Sequence, residues 1–187
     1  MLVGPILPED HAAVGEIARA TGSELDVAAE LDRGWARLWV ARLSQNAPPA
    51  AFLLAWDVAD ELHVIHVATH PNWRRRGAGH ALISALLSHA RSRRTRLVLL
   101  EVRRSNRAAI RLYRAHGFCA IGLRRGYYRG PGELESSAGA EEDAVEMMLE
   151  LDPNTGAAVT HHDAVALGAF DEAEPTATRA RPFPRRN

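Results

Sequence analysis

The sequence predicts an α/β domain built on a mixed sheet. Two observations carry that expectation and a third bounds it. From about residue 35 onward, apolar runs of strand length alternate with segments of helical period. Two of those helical segments begin at a glycine-rich or polar turn that directly follows a strand-like run. No apolar run approaches the ~20 residues of a membrane-spanning helix, so the hydrophobic residues, 47% of the chain, are available for a core.

Each element has its own local reason. In "LPEDHAAVGEIARATG", Pro8, Glu9 and Asp10 suit a first helical turn, Val14, Ile17 and Ala18 form one apolar stripe, and Gly22 ends the helix. "SELDVAAELDRG" reads as a second short helix with Ser23 as N-cap and Gly34 just past its end. "ARLWVARL" is strand-like, "SQNAPPA" is a turn, and "AFLLAWDVADELHVIHVAT" holds two strands joined at Ala59–Asp60. Pro71 breaks the run. From Gly79 to Arg91, Leu82, Ala85, Leu86 and Ala90 recur at helical spacing. "RLVLLEV" is a buried strand, and "SNRAAIRLYRAHGF" is a helix with a polar start and Gly117 as its stop. "CAIGLRRGYY" is a strand, "RGPGELESSAGAEED" a long polar loop, and "AVEMMLEL" the closing strand. After Asp152 the periodicity fades and large apolar residues become few. The expected organisation is one domain over residues 1–151 and a tail without fixed structure over 152–187.

Net charge is zero, but its distribution is uneven. Residues 1–70 carry a net −6, residues 71–130 a net +14 with Glu101 as their only acid, and residues 131–187 a net −8. The middle block suggests a polyanionic ligand, or else a solvated arginine-rich surface. All 23 basic residues are arginine. The lone Cys119 rules out an internal disulfide and fits a reducing compartment. "MLVGPILPEDHAAV" lacks the basic and apolar regions of a signal peptide. The expected location is cytoplasmic, with no membrane partner. His161 and His162 are adjacent but have no ligands at metal spacing, so no metal is expected. Oligomeric state leaves no signal in the sequence.

Two constellations carry chemistry. The first is "VATHPNWRRRGAGHALI", a strand, a turn and a helix start. The first N–H groups of a helix lack intrahelical partners, and the helix dipole adds partial positive charge there. Gly77 and Gly79 have no Cβ, so a phosphate could approach the backbone closely. A plain glycine-rich turn is the competing reading; neither a Walker loop nor a dinucleotide fingerprint is present. The second constellation is "LEVRRSNRAAIRLYRAHGF". Leu97, Leu99 and Glu101 share one strand face. A carboxylate on a buried strand is costly unless paired or wet, so Glu101 reads as a salt-bridge partner of an arginine or as a general base at a cleft. Asn106 is placed to cap the following helix and to offer its amide to a ligand. Tyr113 lies on the same helix side as Asn106 and Ile110, and pattern alone favours a core tyrosine.

Together these residues resemble the GCN5-related N-acetyltransferase (GNAT) superfamily. Arg74-Arg75-Arg76-Gly77-Ala78-Gly79 fits its Arg/Gln-x-x-Gly-x-Gly/Ala signature. "LEVRRSNRAAIRLYRAHGF", "LRRGYY" and "EDAVEMMLEL" are similar more narrowly to bacterial ribosomal-protein-alanine N-acetyltransferases. The resemblance covers about residues 50–151. It implies one mixed, mostly antiparallel sheet of six or seven strands with about four helices on both faces. It also implies acetyl-CoA as co-substrate, with its pyrophosphate on Arg75, Arg76, Gly77, Ala78, Gly79 and His80, its pantetheine along Val67, Ala68 and Thr69, and a further contact at Asn106. Glu101 matches the family's general base and Tyr113 its general acid. Polarising the thioester carbonyl would fall to a backbone N–H at the end of the Val67–Thr69 strand. The implied acceptor is the N-terminal amine of a protein, a small-subunit ribosomal protein beginning with Ala, with Tyr127 and Tyr128 either lining the acceptor side or packing as strand aromatics. Two other readings stand beside it: a small-molecule amine or antibiotic as acceptor, and a nucleic-acid-binding module with a vestigial CoA site. No RNP-type aromatic pattern or helix-turn-helix signal supports the last. The chain departs from the family's Pro-Trp-Ser start to the second helix, having "TGSELDV" instead.

Overall fold

Pro8 and Gly22 bracket the first helix, as their positions predict. The structure, a computed structural model, describes residues 1–128 and 141–167. After a single 3-10 turn over Pro8–Asp10, α1 spans His11–Ala20 and buries Val14, Ile17 and Ala18. It ends in a Schellman motif: Gly22 takes φ 81, and the N–H of Ser23 reaches back to the Ala18 carbonyl at 3.0 Å. Helix α2 spans Val27–Leu31 and is capped by Asp26, whose Oδ1 accepts from the Ala29 N–H at 3.0 Å. Ser23 is therefore not the cap. Its hydroxyl is taken by the Ala18 carbonyl and by His66 Nε2, both at 3.3 Å.

Two compact units make up the chain, Met1–Leu100 with Leu149–Ala158, and Glu101–Met148 with the described residues from Val159 onward. The first contains β1 (Leu2–Pro5), β2 (Ala36–Arg42), β3 (Ala51–Val58) and β4 (Glu61–Thr69), each antiparallel to the next. After another 3-10 turn at Pro71–Trp73 comes α3 (Ala78–Ser92), and then β5 (Leu97–Arg103) pairs parallel to β4. The second unit holds the end of β5 from Glu101, α4 (Arg107–Arg114), β6 (Cys119–Tyr128) and, antiparallel to β6, β7 (Glu142–Leu151) as far as Met148. The short β8 (Ala158–Val159) follows. The sheet order is β1-β2-β3-β4-β5-β7-β6, with β8 on β7. The sheet is thus mixed and mostly antiparallel, as expected, with eight strands. The sequence reading missed β1, whose four residues include a proline and gain strand form from pairing with β2.

In the first unit the helices cover both sheet faces. Leu38, Val40, Phe52 and Leu54 pack with Val14, Ile17 and Val27 of α1 and α2. The opposite face meets α3, where Trp39 sets its ring edge-on to His89 at 5.3 Å. Each fully buried large aliphatic side chain contributes about 1.5–3 kcal/mol. Asp57, whose side chain is 4% exposed, joins β3 to β2 through Arg37 at 3.8 Å and to the end of α3 through His89 at 3.3 Å and Arg93 at 3.4 Å. Among the described residues no helix is long and apolar enough to cross a membrane.

Residues 152–167 differ from the structureless tail expected after Asp152. The Asp152 carboxylate accepts from the N–H groups of Asn154 and Thr155, at 2.9 and 2.8 Å, and so holds a turn. Ala120 of β6 is bonded on both its polar groups: its N–H donates to Asp163 Oδ1 and its carbonyl accepts from the Ala164 N–H, both at 2.7 Å. Asp163 also pairs with Arg114, and Leu167 is buried. These contacts cap a strand edge that would otherwise offer bare backbone groups. Residues 168–187, and the loop 129–140, lie outside the described residues.

Candidate active site

The glycine turn sits at the start of α3 in the first unit. Gly77 is the N-cap, with φ 84 and ψ 2, and Arg75 is also left-handed at φ 62. The first intrahelical bond runs from the Ala81 N–H to the Gly77 carbonyl at 3.0 Å, so the amides of Ala78 and Gly79 have no acceptor within the helix. A Cβ on Gly77 would meet nothing within 4 Å. Among the described residues nothing fills that side of Gly77, which leaves room there for a bound diphosphate. Arg74, Arg75 and Arg76 are exposed, and the Arg76 guanidinium stacks over the Trp73 ring at 4.7 Å. His80 is exposed on the first turn of the helix.

Strand β4 leads into this turn with one edge unpaired among the described residues. Its parallel register with β5 covers four pairs, from Glu61–Leu97 to Val64–Leu100, while pairing with β3 continues to Ala51–Thr69. Val67, Ala68 and Thr69 thus keep a backbone edge outside the β4–β5 register. The register against β3 passes from Leu54–His66 to Ala55–Val64, which makes Ile65 the extra residue of a bulge on β4. No local sequence signal marks that bulge.

The second unit carries the other constellation. Glu101, half-buried on β5, pairs with Arg124 of β6, whose guanidinium also lies over the Tyr127 ring. The salt-bridge reading of Glu101 is the one the structure shows, and its side chain, 28% exposed, stays in reach of water. That carboxylate raises the Tyr127 pKa above the ordinary phenol value, first by favouring the protonated phenol as a hydrogen-bond donor and then through its charge. Arg124 stacks over the Tyr127 ring at 4.3 Å, Arg103 over Tyr128 at 4.1 Å, and the two tyrosine rings meet edge-on at 5.1 Å. Arg103 is held in turn by Glu142 at 3.3 Å, whose other oxygen accepts from the Ser105 N–H at 2.6 Å.

Asn106 caps α4, its Oδ1 accepting from the Ala109 N–H at 3.2 Å. With the oxygen engaged, its NH₂ is the side-chain group left to face a ligand. Tyr113 is buried on α4 and tilted against Phe118, with ring centroids 5.8 Å apart. That contact belongs to a Schellman stop. The Phe118 N–H bonds the Tyr113 carbonyl at 3.1 Å, and Gly117 has φ 90. Burial, and secondarily the nearby Tyr128, push the Tyr113 phenol well above its usual pKa, so it keeps its proton at any physiological pH.

Sequence reasoning singled out Glu101, Asn106, Tyr113, Tyr127 and Tyr128, and all belong to this unit. It missed Arg124 as the specific partner of Glu101. Fifteen arginines share that segment of sequence, and only the strand register selects one. The charge blocks are now explained in part by pairing between them. Arg93 and Arg96 meet Asp57 and Asp60, while Arg103, Arg104 and Arg114 meet Glu142, Asp143 and Asp163. Among the described residues no group of three or more His, Cys, Asp and Glu side chains could hold a metal ion.

A family model described as the acetyltransferase (GNAT) family matches residues 11–118, more than half of the chain. The chain belongs to the GNAT family. It is an acetyl-CoA-dependent N-acetyltransferase, and its sheet is the GNAT fold. A [ribosomal protein bS18]-alanine N-acetyltransferase of Escherichia coli K12 is 36% identical over 110 residues, covering 59% of this chain and 70% of that protein. The N-alpha-acetyltransferase RimI of Mycobacterium tuberculosis is 47% identical over 72 residues, 38% of this chain and 42% of its own length. A crystal structure of the ribosomal-protein-S18-alanine N-acetyltransferase from Escherichia coli superposes with a TM-score of 0.68 at 28% identity, covering 80% of this chain and 92% of that one. The GNAT model takes in α1, the glycine turn, Glu101 and Tyr113, and stops before Arg124 and the tyrosine pair.

Proposed function

We propose that this chain transfers the acetyl group of acetyl-CoA to the N-terminal amine of a cytoplasmic protein, namely a small-subunit ribosomal protein beginning with alanine. The kinship with bS18-alanine N-acetyltransferases, which extends over 110 residues, carries this reading. Acetyl-CoA supplies an acetyl group activated as a thioester. The amides of Ala78 and Gly79, with Arg75, Arg76 and His80 around them, would hold its diphosphate, and the outer edge of Val67–Thr69 would align the pantetheine as an added strand. An amide at that strand end would polarise the carbonyl, and the Asn106 side-chain NH₂ would add a contact to the cofactor.

Glu101 takes the proton from the attacking amine. An α-ammonium has a pKa of ~8, so a fraction of the acceptor is already neutral and the base works as attack proceeds. Tyr113, which keeps its proton, hands it to the departing thiolate. No covalent enzyme intermediate is needed for this direct transfer.

Mass spectrometry after incubation with acetyl-CoA tests the assignment. Peptides beginning with Ala are expected to gain one acetyl group at the α-amine, ahead of matched peptides with other first residues and of free amines. Acetylation confined to small free amines would contradict it.

A further inference from the structure

We propose that Arg124 is an internal stand-in for the acceptor's cation, occupying in the free chain the place that the substrate ammonium takes during reaction. This role rests on the proposed N-terminal acetylation and deepens it by naming a residue that sets acceptor affinity. Arg124 meets two partners at once, the Glu101 carboxylate and the face of the Tyr127 ring, with its guanidinium carbon 4.3 Å from the ring centroid. A carboxylate beside an aromatic face is also what a primary ammonium selects. One carboxylate cannot hold both cations in the same position.

The segment is built to yield. The β6–β7 register breaks between Arg124 and Tyr128, and within the break the Gly126 N–H turns to Asp143 Oδ1 at 3.1 Å, with φ 60 at Gly126. Arg124 therefore lies at the edge of an irregular stretch, where a bulge frees the side chain from a regular ladder position. Its side chain is 49% exposed and that of Glu101 28%. An ion pair this wet shifts an equilibrium by no more than about fivefold, so an incoming ammonium can displace it. Tyr127, 45% exposed and set edge-on to Tyr128, keeps its ring in place to receive the newcomer.

The test is steady-state kinetics at saturating acetyl-CoA, with one Ala-first peptide and three proteins: the unaltered chain, Arg124→Ala and Arg124→Lys. Arg124→Ala removes the competitor and a like charge, so the acceptor KM is expected to fall about two- to fivefold, while the KM for acetyl-CoA does not move. Arg124→Lys keeps a cation and is expected to stay near the unaltered chain. The same peptide with its N-terminus already acetylated carries no ammonium, and its inhibition constant is expected to be equal in all three. A higher or unchanged acceptor KM in Arg124→Ala overturns the role, as does equal tightening of the blocked peptide, which would mean a merely widened groove. An unaltered chain that acetylates no Ala-first peptide would overturn the proposed reaction and this role together.

Discussion

The carboxylate of Glu101 meets the guanidinium of Arg124 across 23 residues of sequence. The only acid of the basic segment is thereby held beside Tyr127, half-buried on an interior strand. Its side chain is 28% exposed, so the carboxylate stays in reach of water.

Glu101→Gln keeps the shape and removes the basicity. We expect kcat to fall by roughly 10²–10⁴ with little change in the KM for acetyl-CoA. Full turnover across the pH range would contradict the base assignment.

Tyr113→Phe keeps the ring packed against Phe118 and deletes the proton donor, so kcat is expected to fall by about tenfold or more. Because burial, with Tyr128 second, raises the phenol's pKa, the unaltered enzyme should show no alkaline loss of kcat from this group below pH ~10. The same shift affects stability. It contributes fully below the unfolded-state value of ~10 and is lost as pH rises through the folded-state value. Urea midpoints at pH 8 and pH 11 are expected to differ less in Tyr113→Phe than in the unaltered chain.

Gly77→Ala separates backbone strain from ligand space. With φ at 84 and nothing within 4 Å of the new Cβ, the protein itself loses only about 1–2 kcal/mol. The methyl group would stand where the diphosphate approaches the amides. The KM for acetyl-CoA is expected to rise about tenfold or more, the equivalent of one weakened charged hydrogen bond. A variant with lower stability and unchanged KM would remove the anion site from this turn.

Asp10 is a stability prediction with a defined sign. It is 2% exposed, and its Oδ1 accepts from Arg42 at 2.8 Å while Oδ2 accepts from the Leu7 N–H at 2.9 Å. Burial alone would raise its pKa, but those hydrogen bonds and the Arg42 charge outweigh it, and the pKa is lowered. A lowered carboxylate stabilises the fold above its unfolded value of ~4 and loses that contribution as pH falls through the folded value. Asp10→Asn is expected to unfold at lower urea at pH 7 and to show a flatter dependence between pH 5 and 3.

Much of this architecture was legible in the sequence because local chemistry and tertiary packing agree. Pro8 and Gly22 bound α1, Ala59–Asp60 turns β3 into β4, and Gly117 stops α4 with Phe118 folded back on Tyr113. What was not legible depends on pairing. Ser23 looked like a cap, but Asp26 sits at the right distance from Ala29, and Ser23 is drawn to His66. The strand Leu2–Pro5 exists through β2, and the Ile65 bulge through the register with β3. Residues 152–167 lack periodicity because they hold by single polar contacts, such as Asp163 on Ala120, and not by an apolar stripe. The same limit hid Arg124: its charge was plain, but its partner is set by strand register.

The most direct measurement is a crystal structure of the chain with CoA and an Ala-first peptide. The account predicts the diphosphate on the amides of Ala78 and Gly79, the pantetheine along Val67–Thr69, and the peptide amine at Glu101 with Arg124 turned away. A diphosphate bound elsewhere, or an amine remote from Glu101, would contradict it.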